Sequence, residues 1–168
     1  MKMNKLIREL ESSINHNFKN KDLIKKALTH KSYSSEINNE KLEFLGDRVL
    51  GLIISKELLD KFPNEKEGVI DKKFANLVNK KTCADIAYKL NLSKYLYLGS
   101  SNRNSESFND KITSDCLEAI IGAIYIDGGL KSVEKFILKT WEKYIDKSVV
   151  TLIDSKTKLQ EYSLKKLK

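Results

Sequence analysis

Two cysteines, one proline, one tryptophan and two histidines are all that the 168 residues hold of those types. Cys83 and Cys116 form no zinc-type spacing and no disulfide framework, so both are expected as reduced core thiols in a reducing compartment. No apolar run is long enough to span a membrane, and the N-terminus is too polar for a secretory signal. A cytoplasmic protein with no membrane partner is therefore expected. Alternating strand patterns, internal repeats and low-complexity runs are missing as well, which leaves an all-α chain. The length suits one well-buried domain. The formal net charge of +8 fits either a polyanionic partner or solubility alone.

What is present is concentrated in two blocks. The first runs from Asn39 to Leu50 and carries Glu40, Glu43 and Asp47 at spacings of three and four. At about 100° per residue these acids project from one narrow helix face. Leu42, Leu45, Val49, Leu52 and Ile53 form an apolar face roughly opposite, and Lys41 and Arg48 take the solvated edge. The acids lie between Leu50 on one side and Phe44 with Gly51 on the other, as in the wall of a groove. Like charges at i,i+4 destabilise a helix by about 0.2–0.5 kcal/mol per pair, so basic side chains or bound cations should neutralise them. A solvated charge cluster is the competing explanation.

The second block, Thr113 to Gly129, contains Ala119, Ile120, Ile121, Ala123, Ile124, Tyr125 and Ile126. Apolar nearly all round, it reads as a central, buried helix. Asp115 and Glu118 share one of its faces with Gly122, which lets another backbone approach closely. Carboxylates on a buried helix need partners or a metal. Facing the two acid pairs would gather Glu43, Asp47, Asp115 and Glu118 into a set of hard oxygen ligands without His or Cys. Such a set favours Mg²⁺, with Mn²⁺ as a substitute, over zinc.

These residues carry a family resemblance. Asn39-Glu-Lys-Leu-Glu-Phe-Leu-Gly-Asp47 resembles the signature of ribonuclease III, the double-stranded-RNA endonuclease. Ser114-Asp-Cys-Leu-Glu-Ala-Ile-Ile-Gly-Ala-Ile-Tyr-Ile-Asp-Gly-Gly129 resembles that family's second block, in the expected order. The likeness runs from Phe18 to Tyr162. It implies the helical, dimeric nuclease-domain fold over residues 1–150. It also implies Glu43, Asp47, Asp115 and Glu118 as metal ligands, with Asp47 and Glu118 catalytic and Asp47 either a ligand or the acid that orients water. Glu40 and Glu67 match family acids near the site, in supporting or RNA-contacting roles; for Glu67 an ordinary first-turn helix acid is the alternative. Phe44 matches an aromatic that plugs into the partner subunit of a homodimer.

The rest of the chain is read around these blocks. Met3 to Ile14 has helical spacing, and Asn20 caps a second helix. His30, in a Thr-His segment resembling a family block, is read as packing. The acid helix should run to about Lys61, before Pro63. Val69 to Asn79 and Thr82 to Leu90 read as two more helices. Phe74 departs from the family, which often has a basic residue there, and the polar stretch after Gly99 lacks the family's glycine pair. Leu130 to Ile145 reads as a last helix, with Val133, Phe136, Ile137, Trp141, Tyr144 and Ile145 inward. The final segment, Ser155 to Lys168, holds five lysines and one glutamate. Thr157 to Tyr162 resembles the opening of a double-stranded-RNA-binding domain, so residues 151–168 are expected as linker and first-helix fragment of one.

The resemblance implies a divalent-metal-dependent endoribonuclease. It would cut double-stranded RNA to 5′-phosphate and 3′-hydroxyl ends in rRNA and mRNA processing. A non-catalytic RNA-binding or ribosome-associated module on the same fold is the alternative, as is a metal-dependent nucleotide hydrolase. The four acids favour an enzyme over the module, and the second block favours a nuclease over the hydrolase.

Overall fold

In the computed structural model, residues 2–99 and 110–148 are described. The polar stretch after Gly99 and the basic C-terminal segment lie outside them. The order is α1 (Lys2–Ile14), α2 (Lys21–Ala27), α3 (Glu40–Lys61), α4 (Glu67–Val78), α5 (Lys80–Lys89), a 3₁₀ turn (Leu92–Tyr95) and α6 (Asp110–Lys147). Among the described residues there is no β-strand, only an isolated bridge between Thr29 and Tyr97. The all-α expectation holds.

Local chemistry sets the helix ends. Asn20 caps α2 by accepting from the backbone N–H of Asp22, and Asn79 caps α5 through Thr82. α3 ends at Phe62, which precedes Pro63. α6 breaks at Gly129, whose φ of 72° lies in the left-handed region that glycine enters freely. The break divides α6 into an arm bearing the second acid block and an arm bearing Trp141. That tryptophan is fully buried and donates its indole N–H to the Leu77 carbonyl at 2.9 Å, a core role as expected. Tyr144 is only half-buried and pairs through its hydroxyl with Asp85.

α3 and α6 form the axis of the molecule. Leu50, Ile54 and Leu58 of α3 and Leu117, Ile120 and Ile121 of α6 are fully buried between them and their neighbours. The helices touch backbone to backbone at two glycines. A Cβ at Gly46 would lie 1.7 Å from the Glu118 carbonyl oxygen, and one at Gly122 would lie 2.3 Å from that of Leu42. No side chain fits at either position. The approach at Gly122 was expected; its partner Gly46 was not.

This crossing corrects the helix-wheel reading. The buried arc of α3 runs through Leu42, Gly46, Val49, Leu50 and Ile53, and is swung towards the acids. Leu52 is consequently 60% exposed instead of inward. Tyr125 and Ile126, expected inside, are exposed. Lys73 is buried, a feature the sequence reading passed over. Its ammonium donates to the Ser148 carbonyl and stands 4.4 Å from the Phe62 ring centroid. Phe74 packs its ring over Gly51.

Candidate metal centre

Glu43 and Asp47 sit one turn apart on α3, on either side of Gly46. Asp115 and Glu118 sit on the facing turn of α6. Because the backbones meet at Gly46 and Gly122, the two pairs are drawn onto one groove of about 480 Å³. Glu40, Phe44, Asn39, His30 and Lys111 complete much of its wall. One carboxylate oxygen from each of Glu43, Asp115 and Glu118 lies within 4.8 Å of the other two. Three half-buried carboxylates this close form an all-oxygen donor set that fits a hard divalent cation.

The electrostatics agree. Burial pushes the Glu118 carboxyl up to about 8, with Asp47, Asp115 and Glu43 adding their negative charge. Burial likewise raises Glu43, followed by the charge of Asp115. Basic side chains meet the other acids. Lys111 donates to Asp115 at 2.6 Å, Arg48 pairs with the adjacent Asp47, and Lys31 donates to Glu40 at 3.0 Å. Among the described residues, no base pairs with Glu43 or Glu118.

Asp47 lines the same groove, although its carboxylate is turned to Arg48 and stands outside the trio. Glu40 is at the mouth. Glu67, the first residue of α4, is exposed and does not line the groove. Phe44 is 65% exposed, with the Arg48 guanidinium 5.1 Å from its ring centroid. His30 is in the groove wall. Its Nδ1 accepts from the Ser32 backbone N–H at 3.1 Å, which leaves the ring proton on Nε2. Burial, then the charge of Lys31, depresses its pKa.

Two groups here escaped the sequence reading. Lys111 was findable, since it precedes Asp115 by four residues, the spacing of a helical ion pair. Asn39 is buried, and its side-chain amide nitrogen has no hydrogen-bond partner. Only the folded contacts reveal that.

Helical throughout its described residues, with facing carboxylates on one groove, the chain presents a helical scaffold with a candidate site for a divalent cation. The ribonuclease-III-like family model matches residues 20–145. Ribonuclease 3 of Pelagibacter ubique is 57% identical over 157 residues, covering 94% of this chain and 71% of that protein. Ribonuclease 3 of Bartonella bacilliformis is 44% identical over 160 residues, covering 94% and 68%. The nuclease domain of ribonuclease III from Campylobacter jejuni, described for structural flexibility in its dimer-forming region, superposes with a TM-score of 0.80. It is 42% identical, over 82% of this chain and 97% of that one. The chain belongs to the ribonuclease III family and is an endoribonuclease of that type.

Proposed function

We propose that this endoribonuclease cleaves double-stranded RNA in a divalent-metal-dependent reaction, leaving 5′-phosphate and 3′-hydroxyl ends, in rRNA and mRNA processing in the cytoplasm. The observation that carries the reading is the convergence of Glu43, Asp115 and Glu118 within 4.8 Å. These residues would hold the cation, Mg²⁺ or Mn²⁺ in its place. When bound, it supplies Lewis-acid activation of water and stabilises the leaving 3′ oxygen. Asp47 orients the attacking water from the groove wall, and Glu40 at the mouth faces the incoming backbone. A-form RNA is recognised largely by shape, through phosphates and 2′-hydroxyls, which suits a basic protein.

The active form is a homodimer, each subunit cutting one strand. Phe44, Leu52 and Leu59 support this reading. All three are exposed and lie along one side of α3, which gives a monomer an apolar stripe to cover. Glu67 acts as an RNA-contacting or supporting acid outside the groove of its own subunit. Residues 151–168 lie outside the described residues; we take them as the linker to, and start of, a double-stranded-RNA-binding domain, by the resemblance of Thr157 to Tyr162 and their lysine content.

The test is incubation of a long RNA duplex with the protein, with Mg²⁺ and with chelator, and analysis of product ends. Mg²⁺-dependent fragments bearing 5′-phosphates are expected. Equal cleavage in excess chelator, or none of the duplex in Mg²⁺, would overturn the reading.

A further inference from the structure

We propose that Lys111 is the resident counter-ion of the carboxylate centre. Its ammonium must leave Asp115 before that carboxylate can serve a divalent cation, so Lys111 sets the affinity for the metal. The inference rests on the reading of Glu43, Asp115 and Glu118 as the cation site.

The geometry is direct. Lys111 stands on the first turn of α6 and reaches Asp115 Oδ2 at 2.6 Å. Asp115 is one corner of the trio, and its side chain is only 16% exposed. A carboxylate oxygen binds Mg²⁺ at about 2.0–2.1 Å. The ammonium in its present place would therefore lie within about 5 Å of the ion, in a half-buried groove where water screens little. Both cations also seek the same oxygen lone pairs. Meanwhile Glu43 and Glu118 have no base of their own among the described residues, and the charge of Lys111 reaches both of them. The lysine stem is long and the side chain is 60% exposed, which lets the ammonium swing out without moving the helix. Arg48 and Lys31 are differently placed, since they hold Asp47 and Glu40, outside the trio.

The competing role is purely structural, an i,i+4 pair that stiffens the start of α6 and orients Asp115. The two roles predict opposite signs. Removing a competitor tightens metal binding, whereas removing an orienting group loosens it. The experiment is calorimetric titration of the RNA-free protein with MnCl₂, for the wild type, Lys111→Met, Lys111→Arg and Glu118→Gln. We expect Lys111→Met to bind Mn²⁺ about tenfold more tightly than the wild type, the scale on which groups flanking the ligands alter affinity. Lys111→Arg should stay near the wild type, and Glu118→Gln should bind far more weakly. Unchanged or weaker binding by Lys111→Met, with the wild type binding normally, overturns the counter-ion alone. No Mn²⁺ binding by the wild type overturns the cation site and this inference with it.

A second measurement covers the case in which Lys111→Met does not fold. The lysines of the wild type are ¹³C-dimethylated, and the Lys111 resonance is assigned from its loss in Lys111→Arg. Saturating Mg²⁺ should move that resonance to the position of solvent-exposed lysines. A resonance that stays in place at saturation overturns the proposal.

Discussion

Two carboxylates on the same arm of α6, Glu118 and Asp127, are both largely withdrawn from solvent, yet their surroundings are opposite. Asp127 has a side chain only 2% exposed. It accepts from the backbone N–H groups of Lys19 at 3.0 Å and Asn20 at 2.9 Å, and from His16 at 3.0 Å. Burial alone would raise its pKa, but these donors outweigh it and hold the carboxyl below the usual range. Among the described residues Glu118 has no such donors, and burial, with the charges of Asp47, Asp115 and Glu43, pushes its pKa up. The satisfied acid ties the segment between α1 and α2 to the end of the central arm. The crowded acid weakens the fold until something positive arrives. Burial of an acid is therefore no guide to its role; the company it keeps is.

The largest test of this contrast is Glu118→Gln. If Glu118 holds the cation as proposed, losing its charge should lower single-turnover cleavage of duplex RNA by about a thousandfold or more at saturating Mg²⁺. The same change relieves crowding, so the metal-free variant should melt higher than the wild type by scanning calorimetry. A lower melting temperature together with intact cleavage would reverse the assignment.

Gly46→Ala comes next. The new Cβ would overlap the Glu118 carbonyl, and overpacking of that kind destabilises by about 1–3 kcal/mol or more. A displacement of about 1 Å between the acid pairs should cost roughly a hundredfold in cleavage. Loss of cleavage with stability retained would show that the crossing positions the site without carrying the fold.

Asp127→Ala should do the converse. It strands His16 and two backbone donors, and should destabilise by about 1–3 kcal/mol, while leaving cleavage per folded molecule close to normal. At about 2–4 °C per kcal/mol for a chain of this size, the loss is readable in a melt.

The last test is the pH profile of the metal-free protein. Glu118 is protonated in the folded chain and ionised in the unfolded one between its ordinary value of 4.5 and about 8. Folding takes up a proton in that window, so its contribution to stability falls as pH rises through it and is lowest above 8. Asp127 has the opposite sign. Its lowered pKa adds stability above its ordinary value of 3.8, and that is lost as the pH falls through the folded value. Glu118→Gln should flatten the alkaline limb, and Asp127→Ala the acid one, in melts across pH. A single limb removed by both variants would dissolve the contrast.

Much of the site was legible in the sequence because it is written in helix periodicity. Glu43 with Asp47, and Asp115 with Glu118, had only one face each to occupy, and Gly122 marked where the helices meet. The buried arc of α3 was less legible. The wheel weighs Leu52 by its side chain, whereas the arc is set by where Gly46 lets another backbone in. Asp127 and Lys73 were missed for a related reason, since their partners, from His16 to Ser148, are distant in the chain or are backbone groups. Trp141 and the Asn20 cap were read correctly because large apolar surface and local capping both act at short range.

The meeting of Gly46 with Gly122 also orders events in time. It joins segments separated by α4, α5 and the 3₁₀ turn, so it is a non-local contact that waits on loop closure. During synthesis α3 is complete long before α6, and its acids stay hydrated until then. Repulsion among the carboxylates arises only when the first arm of α6 docks on α3. Relief of that repulsion in Glu118→Gln should slow unfolding of the metal-free protein to the extent that this docking follows the transition state, and speed refolding to the extent that it precedes it.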